Sequence, residues 1–259
     1  MPDTTDGGPA ASTTSDAPKR PQRFDRVLLK LSGEAFCPPG EGGIDAAELE
    51  VIAGEIKEAA SRGTQVAVVV GGGNLIRGSS LAEKGLVPRA TADYMGMLGT
   101  VMNGLALREA LVALGVDSRV MSALDIRAVA EPFIRLRAIR HMERGRVVVL
   151  AAGTGNPFFT TDTCAALRAT ELECDAVLKA TKVDGVYSAD PNLDPSATRF
   201  EQLSFAEAME KNLKFMDMTA LAMCRENKIP VLVFDFKKPG NIDRVVRGEP
   251  VGTLLHHGE

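Results

Sequence analysis

The segment Ala151–Ala169, AAGTGNPFFTTDTCAALRA, concentrates residues that can hold a phosphate group. Its glycines leave backbone N–H groups accessible, and Thr160 and Thr161 add hydroxyls where an alternating polar and apolar pattern predicts a helix. Unpaired N–H groups and the helix dipole both favour an anion at such a helix start. Asn156 could bind a ring edge, and the two phenylalanines could pack beside a base or sugar or, equally, in the core. The segment therefore predicts a site for a phosphorylated small molecule.

Three consecutive glycines, Gly71 to Gly73, follow the apolar run QVAVVV and predict a second phosphate-binding turn. Because they lack side chains, an anion can approach their N–H groups closely. We expect the chain from Asn74 to Gly78 to begin a helix whose amino end adds positive potential, and Arg77 to bind a phosphate through two hydrogen bonds. A tight strand-to-helix turn is the alternative interpretation of the glycines.

Charged side chains near two predicted strand ends could neutralise a phosphoryl group. Lys30 lies near the end of RVLLKLSG, Lys179 near the end of AVLKAT, and Asp162 follows the two threonines, where it could hold lysines in place. Positive groups placed around developing charge are the main catalytic device of phosphoryl transfer. For either lysine taken alone, a solvated loop charge is the alternative.

Missing motifs exclude other kinds of chemistry. The sequence has no G-x-x-x-x-G-K-[ST] loop, and GTGNPF lacks the third glycine of a dinucleotide-binding turn. The four cysteines form no CxxC pair, and the three histidines lie in a charged stretch or near the C-terminus. We therefore expect neither a metal site made by the protein nor a histidine-based relay.

Alternating strands and helices must position these groups. Apolar runs such as RVLLKLSG, QVAVVV, SRVMSA, RVVVLAAG, AVLKAT and PVLVFDF predict strands, and helical patterns separate them. Capping boxes are predicted at Asp45 with Glu48 and at Ser204 with Glu207, and a long helix is predicted to end at Gly115. The pattern predicts an α/β fold with a mostly parallel sheet covered by helices on both faces, and with ligands at the carboxyl ends of the strands.

The composition indicates one globular domain after a polar tail. Hydrophobic residues make up 45% of the 259 residues and charged residues 25%, and the formal net charge of -4 offers no basic surface for nucleic acid. Residues 1–24 are rich in Ser, Thr, Pro, Gly and Asp and are predicted to be a disordered tail, which leaves 25–259 as a single domain. We expect no signal peptide, no membrane span and a cytoplasmic location.

Six segments, in order from about Arg26 to the C-terminus, resemble the bacterial uridylate (UMP) kinases of the amino-acid kinase superfamily. They are LLKLSGEA, VVVGGGNLIRG, DYMGMLGTVMNGLALR, GTGNPFFTTD, LKATKVDGVYSADP and KPGNIDRVVRGE. The resemblance implies a three-layer α/β sandwich, a homo-hexamer, and transfer of the ATP γ-phosphoryl group to UMP in pyrimidine nucleotide biosynthesis. It also implies Mg²⁺ bound with ATP rather than in a protein site, feedback inhibition by UTP, and GTP as a candidate allosteric activator.

The resemblance also assigns site residues by position. The catalytic residues would be Lys30, Arg77 and Asp162, with Asp217 as a second carboxylate that organises the site. The ATP contacts would be Lys30, Leu31, Ser32, Gly33, Gly73, Arg77, Thr181, Tyr187 and Asp190. The UMP contacts would be Gly72, Asp93, Thr154, Gly155, Asn156, Pro157, Phe158, Phe159, Thr160 and Thr161, with Asp93 on the ribose.

Two other functions stay open on the sequence. One is another kinase of the same superfamily, acting on an amino acid, a carbamate or an isoprenoid phosphate, although a carboxylate substrate would not need the phosphate site of GTGNPFFTTD. The other is a non-catalytic nucleotide-binding regulator, which the presence of Lys30 and Asp162 disfavours.

Overall fold

A mostly parallel β-sheet forms the centre of the computed structural model, which describes residues 23–76, 85–191 and 193–258. Its strands are β1 Arg26–Leu31, β2 Gln65–Val70, β3 Ser118–Ser122, β4 Glu131–Pro132, β5 Val147–Ala151, β6 Ala176–Thr181, β7 Gln202–Ser204, β8 Val231–Asp235 and β9 Thr253–His256. Within the described residues they are ordered β4-β3-β5-β2-β1-β6-β8-β9-β7. Neighbours run parallel except β8 and β9, which are antiparallel. The predicted mostly parallel sheet is confirmed.

Helices cover both faces of this sheet. They are α1 Ala46–Ser61, α2 Arg89–Ala113, α3 Arg135–Glu143, α4 Thr161–Glu171, α5 Phe205–Glu210, α6 Met218–Glu226 and α7 Asn241–Val246, with a short 3₁₀ helix at Gly33–Phe36. One hydrophobic core contains side chains of α1, α2 and α7, and a second core contains side chains of α3 to α6. The predicted three-layer sandwich is therefore confirmed.

The strand order brings the predicted chemical groups to one edge of the sheet. β5, β2, β1 and β6 are consecutive in the middle of the sheet and parallel to one another, so their carboxyl ends lie side by side. These central strands are apolar because helices cover them on both faces. β1 has β2 on one side and, on the other, β6, which the chain reaches only after β5; such a change of side is where open α/β sheets bind ligands.

The two predicted capping boxes have different outcomes. Ser204 and Glu207 form the complete box, because each backbone N–H donates to the side chain of the other residue at 3.1 Å. Asp45 caps α1 by accepting from first-turn N–H groups, including that of Glu48 at 3.0 Å. The carboxylate of Glu48, however, binds Lys237 on the segment after β8. The Asp45–Glu48 box is thus only half formed, because the Glu48 side chain pairs with Lys237 and not with the Asp45 backbone.

The chain boundaries need one correction. Phe24 was placed in the tail, but it is 2% exposed and its N–H donates to the carbonyl of Val246 at 3.0 Å, so the packed domain includes it. Residues 1–22 of the predicted tail lie outside the described residues. The predicted end of α2 is confirmed, since the helix stops just before Gly115, which has a φ of 81°.

Candidate active site

Two lysines and one aspartate form a cluster at the carboxyl ends of β1 and β6. Lys30 and Lys179 are in register on these neighbouring parallel strands, so their like charges lie side by side. Asp162, in the first turn of α4, separates them: its Oδ1 lies 3.1 Å from Lys30 Nζ and its Oδ2 lies 2.5 Å from Lys179 Nζ. The aspartate holds both lysines, as the sequence suggested, and we call this group the lysine cluster.

The electrostatics of the lysine cluster favour a bound anion. Burial alone would raise the pKa of Asp162, but the ammonium groups of Lys30 and Lys179 outweigh it and hold that pKa below its ordinary value. Burial lowers the pKa of Lys179, with a contribution from Lys30, while Asp162 opposes the change. When both lysines are protonated the cluster carries one net positive charge in a largely desolvated position, where its attraction for an oxyanion is strong.

The start of α4 is capped by its own threonine. The Thr160 hydroxyl oxygen accepts from the N–H groups of Asp162 and Thr163 at 3.1 Å each, and its proton is donated to Asp217. The Thr163 hydroxyl also donates to Asp217, at 2.9 Å. These two N–H groups, which the sequence analysis offered to a phosphate, are therefore already bonded within the protein. A phosphate at this position must rely on Thr161, on the glycines of the loop and on the lysine cluster.

A cleft of about 260 Å³ opens between the start of α4 and the amino half of α2. We call it the first cleft. Of the residues assigned to UMP, it is lined by Gly72, Asp93, Thr154, Asn156, Phe159, Thr160 and Thr161. Gly73, assigned to ATP, also lines it, whereas Gly155, Pro157 and Phe158 belong to the same loop without lining the cleft. The structure thus brings most of the sequence-predicted acceptor residues together.

Asp93 joins the loop of the first cleft to α2. Its Oδ2 accepts from the backbone N–H of Phe158 at 2.8 Å, and both carboxylate oxygens accept from Arg89 Nε at 2.9 and 3.0 Å. Phe158 has a φ of 72°, a backbone conformation that costs a non-glycine residue about 1 kcal/mol or more. Phe158 is 69% exposed and Phe159 53%, so neither packs in the core.

Arg89 is a site residue that the sequence analysis missed. It lines the first cleft and forms an ion pair with Asp93 four residues later on the same helix. The available signal was this i,i+4 spacing of opposite charges at a helix start. Its role is to orient the carboxylate that faces the cleft.

The glycines after β1 and β2 are required by close packing. A Cβ on Gly33 would lie 2.5 Å from the Gly73 nitrogen, and one on Gly71 would lie 2.7 Å from the Gly33 nitrogen. A Cβ on Gly72 would lie 2.5 Å from the carbonyl oxygen of Gly96 on α2. The glycines are therefore needed for packing, because the two loops and α2 touch through their backbones, and phosphate binding by these glycines stays a prediction.

The predicted helix from Asn74 to Gly78 is not formed in its described part. The N–H groups of Leu75 and Ile76 both donate to the Gly72 carbonyl, at 3.1 and 3.0 Å, which makes a turn. Arg77, the predicted phosphate ligand, lies outside the described residues.

A second cleft, of about 590 Å³, lies beyond β6. Its walls are residues 183, 185–191 and 193 on one side and residues 211–215 on the other. Tyr187 and Asp190, both assigned to ATP, line it. The Tyr187 hydroxyl donates to Asp184 at 2.7 Å, and this hydrogen bond lowers the pKa of Asp184. Thr181 instead uses its hydroxyl within the turn after β6, donating to the Val183 carbonyl at 2.7 Å.

The remaining residues assigned to ATP follow β1. Leu31 is fully buried, and its carbonyl accepts from the Gly71 N–H at 2.8 Å. This hydrogen bond joins the segments after β1 (Ser32 and Gly33) and after β2 (Gly71 to Gly73), which we call the glycine loops. Ser32 and Gly33 form the turn that follows Leu31. The lysine cluster adjoins both clefts through Asp162: its neighbour Thr161 lines the first cleft, and Asp162 itself lines a cavity of about 320 Å³ whose residues 212–215 also line the second cleft.

The described residues contain neither a membrane-crossing helix nor a metal-binding group of side chains. No helix there combines the length and apolar character that crossing a membrane requires. Over the same residues, no group of three or more His, Cys, Asp or Glu side chains is arranged to hold a metal ion.

The fold has counterparts among known proteins. The chain matches the amino acid kinase family over residues 25–235, and it belongs to that family. It is similar to the UMP kinase of Bacillus anthracis, at 40% identity and a TM-score of 0.88, over 92% of this chain and 98% of that one. It is also similar to the UMP kinase of Ureaplasma parvum, at 38% identity and a TM-score of 0.84, over 90% and 99% of the two chains. The uridylate kinase of Archaeoglobus fulgidus is more distant, at 32% identity and a TM-score of 0.69, over 88% and 99%.

Proposed function

We propose that this chain is a UMP kinase, which transfers the γ-phosphoryl group of ATP to UMP and releases UDP and ADP. The observation that carries the proposal is that the lysine cluster adjoins, through Asp162, two clefts of different character, one rich in polar groups and one mainly apolar. The similar solved structures at 32–40% identity are UMP or uridylate kinases, which supports the same acceptor here.

In this proposal the first cleft receives UMP. The Asp93 carboxylate is suited to accept hydrogen bonds from the ribose hydroxyls, and the Asn156 amide can donate to and accept from a uracil edge. Thr161 lines the cleft and is the neighbour of Asp162 in the lysine cluster, so a phosphate beside Thr161 would lie near positive charge. The second cleft receives the adenosine of ATP, with Tyr187 and Asp190 in its wall.

The proposed reaction needs no covalent intermediate and no strong general base. The phosphate of UMP is already ionised near pH 7, so one of its oxygens can attack the γ-phosphorus of ATP in line. Lys30 and Lys179 stabilise the negative charge on the transferring group, and Asp162 keeps both ammonium groups oriented toward it. A non-catalytic nucleotide-binding role would have no need of this arrangement.

The residues of the site suit a Mg²⁺ ion that arrives with ATP. Both oxygens of Asp162 are bound by lysines, and the described residues provide no cage of several acidic ligands. Mg²⁺ keeps several waters and readily binds through nucleotide phosphates, so such a site is sufficient. When bound with ATP, the ion would neutralise part of the phosphate charge.

A coupled ADP-release assay with UMP, CMP, dUMP and AMP tests the function. We expect rapid turnover of UMP and much slower turnover of CMP and AMP. Comparable turnover of CMP would contradict UMP specificity. ATP binding without turnover of any acceptor would favour the regulator instead.

Assembly and regulation extend the proposal. Tyr94, Leu98 and Met102 follow each other at four-residue spacing on α2 and are 42%, 49% and 55% exposed, an apolar stripe that supports a contact between subunits of a homo-hexamer. UTP shares its uracil and ribose with UMP, so we propose that it competes for the first cleft as a feedback inhibitor of pyrimidine synthesis. Activation by GTP and a cytoplasmic location stay predictions.

A further inference from the structure

A pair of buried asparagines lies behind the glycine loops. Asn103 of α2 is fully buried and Asn74, in the turn after β2, is 8% exposed. Their side-chain amides bind each other reciprocally: Asn103 Nδ2 donates to Asn74 Oδ1 at 2.7 Å, and Asn74 Nδ2 donates to Asn103 Oδ1 at 3.1 Å. We call these two residues the amide pair.

The amide pair uses its remaining donors on two backbone segments. Asn103 Nδ2 donates to the Gly71 carbonyl at 2.7 Å, and Asn74 Nδ2 donates to the Gly43 carbonyl at 2.6 Å. The backbone carbonyl of Asn74 in turn accepts from the Gly43 backbone N–H at 3.0 Å. All four side-chain N–H groups are therefore bonded, which a buried polar group requires if it is not to destabilise the fold.

The amide pair also contacts the loop after β1. A Cβ built on Gly33 would lie 2.5 Å from Asn74 Oδ1, so the Gly33 backbone rests directly against the Asn74 amide. One helical turn from Asn103, Gly99 packs against Gly72, where a Cβ would lie 3.4 Å from the Gly72 carbonyl oxygen. A movement of either asparagine would therefore shift the loops after β1 and β2 together.

We propose that Asn74 and Asn103 are positioning residues for phosphoryl transfer, which set the backbone of the loops after β1 and β2, where Gly33 and Gly73 are the glycines assigned to ATP. This inference rests on the proposed function for the identity of the ligand. Neither asparagine needs to touch the nucleotide. Hydrogen bonds with fixed directions are suited to this task, because apolar packing alone would let the loops slide relative to α2.

The test compares Asn103→Leu with Asn241→Leu. Asn241 is also buried, at 3% exposure, and its Nδ2 also donates to a backbone carbonyl, that of Asp235 at 2.7 Å. Both variants should lose thermal stability. Asn103→Leu should in addition lower kcat/KM for ATP by about thirtyfold to a hundredfold, since small displacements of positioning groups have effects of that size. Asn241→Leu should stay within about twofold of the unaltered protein, because it lies apart from the loops.

Three further measurements keep the outcome decisive. If Asn103→Leu does not fold, Asn103→Ser and Asn74→Ser replace it under the same expectation. The double variant Asn74→Ser with Asn103→Ser should lose no more activity than the worse single variant, because the pair acts as one unit. Binding of ATP with Mg²⁺, measured by calorimetry without UMP, should weaken in the Asn103 variants and not in Asn241→Leu.

The outcomes separate this inference from the proposed function. If the unaltered protein binds ATP but does not phosphorylate UMP, the proposed function fails, and the calorimetric comparison still tests the amide pair. If UMP is phosphorylated and the Asn103 and Asn74 variants match Asn241→Leu in both kcat/KM and ATP affinity, the amide pair is only structural and the inference is overturned.

Discussion

The two clefts differ in how far their walls are fixed before a ligand arrives. In the first cleft, polar groups are already bonded to one another: Asp93 holds the Phe158 N–H, Thr160 is bound to Asp217, and the Thr100 hydroxyl accepts from the Ala152 N–H at 2.7 Å. The second cleft is formed mainly by apolar side chains of two loops. A wall of fixed polar groups rejects an incorrect ligand strongly, whereas an apolar wall discriminates weakly. We therefore expect strict selection of the acceptor and permissive selection of the donor.

The largest effect should come from the lysine cluster, which adjoins both clefts through Asp162. Lys179→Ala and Lys30→Ala should each lower kcat by about a hundredfold or more, the usual contribution of one preorganised donor to a developing charge. Steady-state kinetics with UMP and ATP varied in turn would show the loss in kcat for both substrates.

Lys57→Ala is the matched control, because Lys57 is an exposed lysine on α1, and it should keep full activity. Circular dichroism would verify that each variant folds. Full activity in Lys179→Ala would mean that this lysine merely balances Asp162, and that the two clefts do not meet at a common reaction centre.

Substituting one aspartate at each cleft tests which substrate each cleft binds. Asp93→Asn should raise KM for UMP roughly tenfold or more, because hydrogen bonds to a charged group contribute about 1.5–3 kcal/mol. KM for ATP should hardly change. Asp184→Asn, which weakens the partner of Tyr187 in the second cleft, should raise KM for ATP and leave KM for UMP unchanged. The same substrate affected in both variants would show that the clefts are assigned incorrectly.

Removing the ribose 2′-hydroxyl from either substrate should give a smaller effect than the aspartate substitutions, and it tests the same difference between the clefts. Replacing ATP by dATP should lower kcat/KM by less than about tenfold, the contribution of one neutral hydrogen bond, while replacing UMP by dUMP removes a bond to the charged Asp93 and should cost more. The four substrate combinations can be compared in one coupled assay. A larger loss of kcat/KM with dATP than with dUMP would show that the second cleft, and not the first, is the more selective.

The sequence predicted the parts of this molecule that depend on local pattern. The central strands are mainly apolar runs, and the Ser204–Glu207 box follows from spacing alone, so both were predictable. The short strands β4, β7 and β9 and the helices α6 and α7 were not identified. The two-residue β4 and the three-residue β7 are too short to show a periodic pattern. β9 is defined by its pairing with β8, which the local sequence does not reveal.

The site shows the same division. The segments around Asp93 and Thr154–Thr161 were predictable from their unusual composition, and most of these residues do line one cleft. The sequence could not predict that Lys30 and Lys179 are in register, because this depends on β1 and β6 being neighbours in the sheet. The Thr160 bond to Asp217 was likewise invisible, because it joins residues 57 positions apart. The N–H groups of Asp162 and Thr163, expected to face a phosphate, donate instead to the Thr160 hydroxyl oxygen, whose own proton is donated to Asp217.

The smallest effect concerns the layer of helices beneath the first cleft. Burial raises the pKa of the Cys164 thiol to about 11, and that of Cys174 to about 12. For Cys224 on α6, burial raises the pKa to about 12, with further contributions from the carboxylates of Asp162 and Asp217. These thiols should stay protonated and unreactive in the native protein at neutral pH, since the thiolate is the nucleophile.

The sign of the pH dependence follows from these raised values. Between the ordinary thiol pKa of 9.0 and about 12, the unfolded chain loses a proton from Cys224 that the folded chain retains. The unfolded state therefore binds fewer protons, and the free energy of unfolding falls as the pH rises through this range. The lowered pKa of Lys179 acts in the opposite direction, so the thiol contribution must be isolated by difference. Urea unfolding at about pH 8 and about pH 10 should show a smaller loss of stability for Cys224→Ala than for the unaltered protein. An identical loss in both would show that Cys224 ionises as readily in the folded chain as in the unfolded one, and that the helices beneath the first cleft are more open to water than their packing indicates.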